Sequence, residues 1–307
     1  MVEGPCDKGA IHRIVIEQLR GRQTQVVIDH VALVEDQQLS GLGAKQKVLA
    51  ICAAADIYAQ THPKISKQLG TLTDREWDGL TLDPVALNEQ WSPPTQGANR
   101  FVTIGHSIEN YHFDQQCMLG YLRFAFAEHY SDALESRISE AFPAAVALAG
   151  AVSFAAQASG CLSRLGGLIG PEHIEQRDST LYLAPSFEQA AQVREVANPD
   201  LFLQQINTAV DVHWDGLAGV THARWLLHGH VGSEVLWACV GFLARVGGVS
   251  MDVTQQIARG NKNERRRWWQ DWLSQRTAED RAPLDLAVSW LHSTTTTDGE
   301  TSQSSPG

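Results

Sequence analysis

The chain has 307 residues, 43% of them hydrophobic, which is enough for a sizeable core and, by length, for one to three domains. Lys and Arg number 24 against 35 Asp and Glu, a net charge of −11. That balance excludes a protein that coats nucleic acid through its overall field, so any such contact needs a local basic patch or a metal-lined groove.

In chain order, MVEGPCDK places Glu3, Gly4 and Asp7 ahead of a helix predicted from Ala10 to Leu19. The run VVIDHVALV, from Val26 to Val34, reads as a β-rich segment, and Ala44 to Ala59 as a second helix. Strand and helix in alternation imply a parallel, layered sheet. Linkers are expected at WSPPTQGAN, Trp91 to Asn99, and in the Ser/Thr-rich end.

Beyond Gln115 the texture is helical. Helices are predicted at Gln115 to Tyr130, Ser131 to Ala141, Phe187 to Val196, Leu201 to Val212, Ser233 to Arg245 and Glu264 to Gln275, with TLYLA at Thr180 to Ala184 as a strand. The expected organisation is an α/β core over residues 1–114, a mainly helical region over 115–292 and a disordered tail over 293–307.

Five scattered cysteines without a C-x-x-C pair fit reduced thiols in a cytoplasm. No leader pattern of basic then apolar residues opens the sequence, which adds to the cytoplasmic expectation. The Ala-rich stretch Pro143 to Gly160 is too short for a membrane span and reads as a buried helix.

An α/β sheet gathers its functional groups at the carboxyl ends of its strands. Glu3 and the acidic cluster TDREWDG, with Asp74, Glu76 and Asp78, stand where such carboxylates would bind a hard cation. On an extended strand end, Asp74 and Glu76 share a face by the period of two, and Asp78 follows if the strand continues. The competing reading is a solvated acidic turn.

Four other segments carry chemistry. SGLGAK, Ser40 to Lys45, lacks the spacing of a phosphate loop, yet Lys45 at a helix start suits a backbone phosphate. GHSIE lacks the second glycine of a nucleophile elbow, and SIENY reads equally as a helix cap. His228 and His230 flank Gly229 ahead of an apolar helix, as a phosphate contact or proton donor or as capping groups. NKNERRRWWQDW, Asn261 to Trp272, offers Arg heads for phosphates and Trp faces for bases, or an amphipathic helix that buries its Trp residues. His213 and His222 lack the i, i+4 pairing of a zinc motif.

Taken in order, V-E-G-x-x-D-K, GLGAKQKVL, D-R-E-W-D and FVTIGHSIENYHFD resemble a TOPRIM-like family found beside ATPases in bacterial anti-phage loci, which includes the nuclease effector of PARIS-type systems. The resemblance covers about the first 115 residues and continues weakly through LHGHVGSEVLW. It implies a TOPRIM-like parallel-sheet core and a Mg²⁺-dependent nuclease on DNA or RNA, Mn²⁺ substituting. It also implies an ATPase partner protein, and a homo-oligomer is compatible with it. It gives Glu3 the acid/base or metal role and Asp74 and Glu76, with Asp78, the metal. Asp7 in the first motif, Lys45, Glu109 and His230 complete the catalytic candidates, Glu109 as a further ligand or water-orienting group. The chain departs from the pattern at Glu76, where Asp is common, at His230, where relatives carry Lys, and in having only Met1 and Val2 before Glu3. Alternatives are a non-catalytic module with a TOPRIM-like shell and a primase-like nucleotidyl transferase.

Overall fold

The computed structural model describes residues 1–18, 27–80, 91–211 and 223–296. Its contacts fall into two units: Met1–Arg75 with Pro93–Ile104 and Gln270–Gly307, and Glu76–Ser92 with Gly105–Trp269. The fold is mixed α/β, mostly helical, with a two-stranded parallel sheet in the first unit.

In the first unit, α1 (Pro5–Gln18) begins on a proline, whose missing N–H costs nothing at a helix start. Asp7 reaches back to accept the Gly4 N–H at 2.7 Å, the return half of a capping box. Ala10, Ile11, Ile14 and Val15 form the buried stripe. Helices α2 (Ala44–Ala59) and α3 (Lys64–Gln68) lead into β1 (Thr71–Thr73), which pairs in parallel with β2 (Arg100–Val102) in the register Leu72 to Phe101. Val2 adds isolated parallel bridges to Leu72 on one side and His30 on the other. The lateral order is therefore His30, Val2, β1, β2, all running the same way.

The strand expected at Val26 to Val34 differs from the structure. Val26 lies outside the described residues; Val31–Leu33 is a 3₁₀ turn, and among the described residues of this segment the pairing is the His30 bridge to Val2. The ladder cannot lengthen there because the partner chain turns into α1 at Pro5, which has no N–H to donate. Val31 instead packs on Val48 and Cys52 of α2.

The second unit is built on α4 (Gln115–Ala125), α5 (Asp132–Ala158), the short α6 (Leu162–Leu165), the hairpin β3 (Ile174–Arg177) and β4 (Thr180–Leu183), and α7 (Ser186–Val193). It continues through α8 (Pro199–Ala209), α9 (Gly229–Val246), α10 (Met251–Arg259) and α11 (Lys262–Ser274), whose last residues from Gln270 group with the first unit. Small residues along α5, Ala145 to Ala156, bring it close to α9, and this pair is the heart of the core. Each large apolar side chain buried there, such as Leu148 or Phe242, contributes about 1.5–3 kcal/mol.

Pro143, between the helix predicted to end at Ala141 and the buried stretch Pro143 to Gly160, sits inside the continuous α5. An interior proline costs about 3 kcal/mol, and the burial of Val146, Leu148, Val152 and Phe154 beyond it outweighs that cost. By length and composition α5 passes the test for a membrane-crossing helix, and 67% of its most apolar window is buried within the protein.

The expected divisions after Asp114 and at Ser293 follow sequence order, whereas the contacts interleave. The helix α12 (Leu284–Thr296) runs through Ser293 and packs on α1, returning the C-terminal part to the first unit. Residues 297–307 of the expected tail, and His213 and His222, lie outside the described residues.

Candidate functional site

The carboxyl edge of the parallel pairings is assembled by backbone bonds. Val2 N–H donates to Asp29 O and Val31 N–H to Val2 O, both at 2.9 Å, and Leu72 N–H donates to Met1 O at 3.0 Å. Glu3 and Asp74 are then the first residues past adjacent parallel segments. The backbone N–H of Asp74 donates to Glu3 Oε1 at 2.7 Å, so the two sequence candidates meet side by side, each half-buried.

Lys45 joins them. It stands in the first turn of α2, and its Nζ donates to the carbonyl of Arg75, the residue after Asp74, at 3.1 Å. The Arg75 N–H is held by Thr103 Oγ1 at 3.0 Å, just beyond β2. A lysine is thus tethered to the backbone one residue past Asp74, at the end of the parallel sheet. Asp7, expected among the catalytic groups, is 5% exposed and is turned to the start of its own helix.

The shared face expected of Asp74, Glu76 and Asp78 does not form. β1 ends at Thr73, and Glu76 has φ +56°, so the period of two ends before it. Glu76 and Asp78 lie exposed on the turn that follows. Glu76 belongs to the second unit, where its N–H donates to His106 O at 2.6 Å. Among the described residues no group of three or more His, Cys, Asp or Glu has the geometry to hold a metal ion.

In the second unit Glu109 packs at the start of α9, whose first turn carries His230. Asn110 builds the corner: its Oδ1 accepts the Ser107 N–H at 2.8 Å and its Nδ2 donates to Arg224 O at 2.6 Å and Leu227 O at 2.9 Å. Gly229 then fits against Ser107 and Glu109, since a Cβ on it would stand 2.2 Å from Ser107 Oγ and 2.9 Å from Glu109 Oε2. His228 Nδ1 accepts the Val231 N–H as the helix cap, while His230 is exposed.

Three imidazoles line up here. The His106 ring lies 4.7 Å from that of His228, which lies 6.2 Å from that of His230, and Trp77 meets His106 edge-on at 4.4 Å. Burial lowers the His228 pKa to about 4, His230 adding to the shift and Glu109 opposing it. His112 is likewise lowered to about 4 by burial, with Glu109 opposing and Arg265 and His230 adding. His106 and Trp77 lie within the GHSIE and TDREWDG segments without being candidates there, and only the fold reveals their part in this row.

The basic and aromatic run of α11 is mostly structural. Arg265 donates to Ile257 O at 2.9 Å and Ala258 O at 3.2 Å, closing the end of α10, and its guanidinium lies 4.3 Å from the Trp237 ring centre. Burial lowers its pKa. Trp269 is 5% exposed and stacks on His112, and Trp268 Nε1 donates to Cys117 O at 3.3 Å. Arg265 and Trp269 are thereby withdrawn from phosphates and bases.

In comparison with known proteins, the chain matches no protein-family description and no curated protein.

Proposed function

We propose that the protein is a Mg²⁺-dependent nuclease built on a TOPRIM-like core, acting in the cytoplasm as the effector of an anti-phage system with an ATPase partner. The observation that supports this reading best is the Glu3–Asp74 contact at the carboxyl edge of the parallel segments. The segment carrying Glu3 has parallel neighbours on both sides, His30 and Leu72, whose connections leave in opposite directions. Such a switch point is where open α/β sheets bind ligands.

The donor set suits the ion: carboxylate oxygens favour Mg²⁺, which takes one or two of them and keeps several waters. When bound there, the ion supplies charge to the phosphoryl oxygens and a more acidic water. Glu3 is then the carboxylate that accepts a proton, with its orientation set by the Asp74 N–H. Lys45, tethered to the Arg75 carbonyl, brings positive charge to a scissile phosphate. Glu109 and His230 lie in the other unit, and the reading requires no contact from them.

The test is cleavage of single- and double-stranded DNA and of structured RNA with Mg²⁺ or Mn²⁺, alone and with any ATPase encoded beside the gene. Glu3→Gln keeps shape and removes the charge, and a loss of about 10²–10⁴ in rate is expected. Equal rates for wild type and Glu3→Gln overturn the reading. A second reading, a binding module without catalysis, is favoured by the turn at Glu76, which takes that carboxylate off the strand. Metal-independent binding without cleavage of any substrate would select it.

A further inference from the structure

The run in α11 was expected to stack bases through its tryptophans, and the structure moves that capacity to a ring the sequence did not single out. Phe124, near the end of α4, is 59% exposed. Its ring stacks on Trp268 with centroids 5.0 Å apart and planes within 21°. Gly120, one turn back on α4, leaves room for that indole, since a Cβ there would stand 3.2 Å from Trp268 Cζ2. The Trp268 Nε1–H bond to Cys117 O, also on α4, fixes the ring. The result is a two-ring stack with an anchored base and an exposed top.

We propose that this stack is a platform for a nucleobase of single-stranded nucleic acid, a substrate contact that rests on the nuclease reading above. Each base offers a π-face, and a ring already held parallel to a second ring extends the stack without ordering new side chains. Two arginines neighbour the stack in sequence, among acidic residues. Arg123, next to Phe124, is 62% exposed while lying 5.1 Å from the Tyr130 ring centre and pairing with Glu135. Arg267, next to Trp268, is exposed and has no ion-pair partner among the described residues. Glu264 stands one turn before Trp268 and Glu128 four residues past Phe124, in the 3₁₀ turn after α4, so stacking, not field, carries the affinity.

The effect of salt follows from this count. With two phosphate contacts on a single strand, log K falls with log salt with a slope of about −1.4, shallow for a nucleic-acid binder.

The experiment measures fluorescence anisotropy of a labelled oligo-dT with the full-length protein in EDTA, so that no cleavage is needed. Phe124→Ala should weaken binding about fivefold to a hundredfold, the cost of one lost base stack. Phe124→Trp should restore it. An exposed ring contributes little to folding, and matching thermal melts of the variants will separate lost contact from lost structure. Binding unchanged in a folded Phe124→Ala, or no binding by wild type, overturns the platform. A strand bound through Phe124 but never cleaved with Mg²⁺ leaves the platform standing and removes the nuclease reading. Cleavage with binding indifferent to Phe124 does the reverse.

Discussion

The Asp74 backbone N–H donates to Glu3 Oε1 at 2.7 Å, although 71 positions separate the two residues. The bond ties the orientation of one carboxylate to the backbone that carries the other. It exists because Met1 O accepts the Leu72 N–H one step earlier, setting the two segments in parallel register.

If Asp74 holds the ion with Glu3, Asp74→Ala should abolish Mg²⁺ or Mn²⁺ binding by calorimetry while leaving the backbone bond to Glu3 in place. Equal affinity in variant and wild type would remove Asp74 from the site.

Glu76 sits at φ +56°, where a side chain is strained and glycine is not. Glu76→Gly should therefore raise stability by about 0.5–1 kcal/mol, read from the urea midpoint. A carboxylate kept there for metal binding would show a fall in Mn²⁺ affinity alongside that gain. A stability gain with unchanged affinity would mark Glu76 as a turn residue.

Arg265 closes the carbonyl end of α10 from inside the second unit. Arg265→Ala should cost about 2–4 kcal/mol, through carbonyls left without a donor and lost stacking on Trp237. Arg265→Lys should recover little, because a point charge cannot bridge both carbonyls as the planar fork does. Arg267→Ala, at an exposed position, should stay within about 0.5 kcal/mol. A stable Arg265→Ala protein would contradict this assignment.

The histidines give a pH dependence with a defined sign. His112 has its folded pKa lowered to about 4 from the ordinary 6.5, and burial is the main cause. Between those values the unfolded chain binds a proton that the folded chain does not, so stability falls as pH drops through that window. The loss from His112 approaches roughly 3 kcal/mol below pH 4, and His228 acts in the same direction. His112→Phe keeps the ring against Trp269 and removes the titration. Urea midpoints at pH 7.5 and pH 5 should differ less in the variant, and an equal difference would show that His112 does not titrate in this way.

Helices were the legible part of the sequence. α2 runs from Ala44 to Ala59 as its pattern indicates, and the apolar runs of α5 and α9 announce burial, because helix faces are written in spacings of three and four residues. Acidic residues after short apolar runs marked Glu3 and Asp74 as candidates, and the fold sets these two side by side. What the tertiary structure decided were relationships with no local period. The positive φ at Glu76 ends the shared face that alternation predicts. Arg265 turns inward because the end of α10 supplies carbonyls that no reading of α11 alone contains. His106 reaches His228 only because Asn110 binds the carbonyls of Arg224 and Leu227, more than a hundred positions away. Local spacing fixes which face of an element is apolar, while the partner that covers it is chosen by packing and hydrogen bonding over the whole unit.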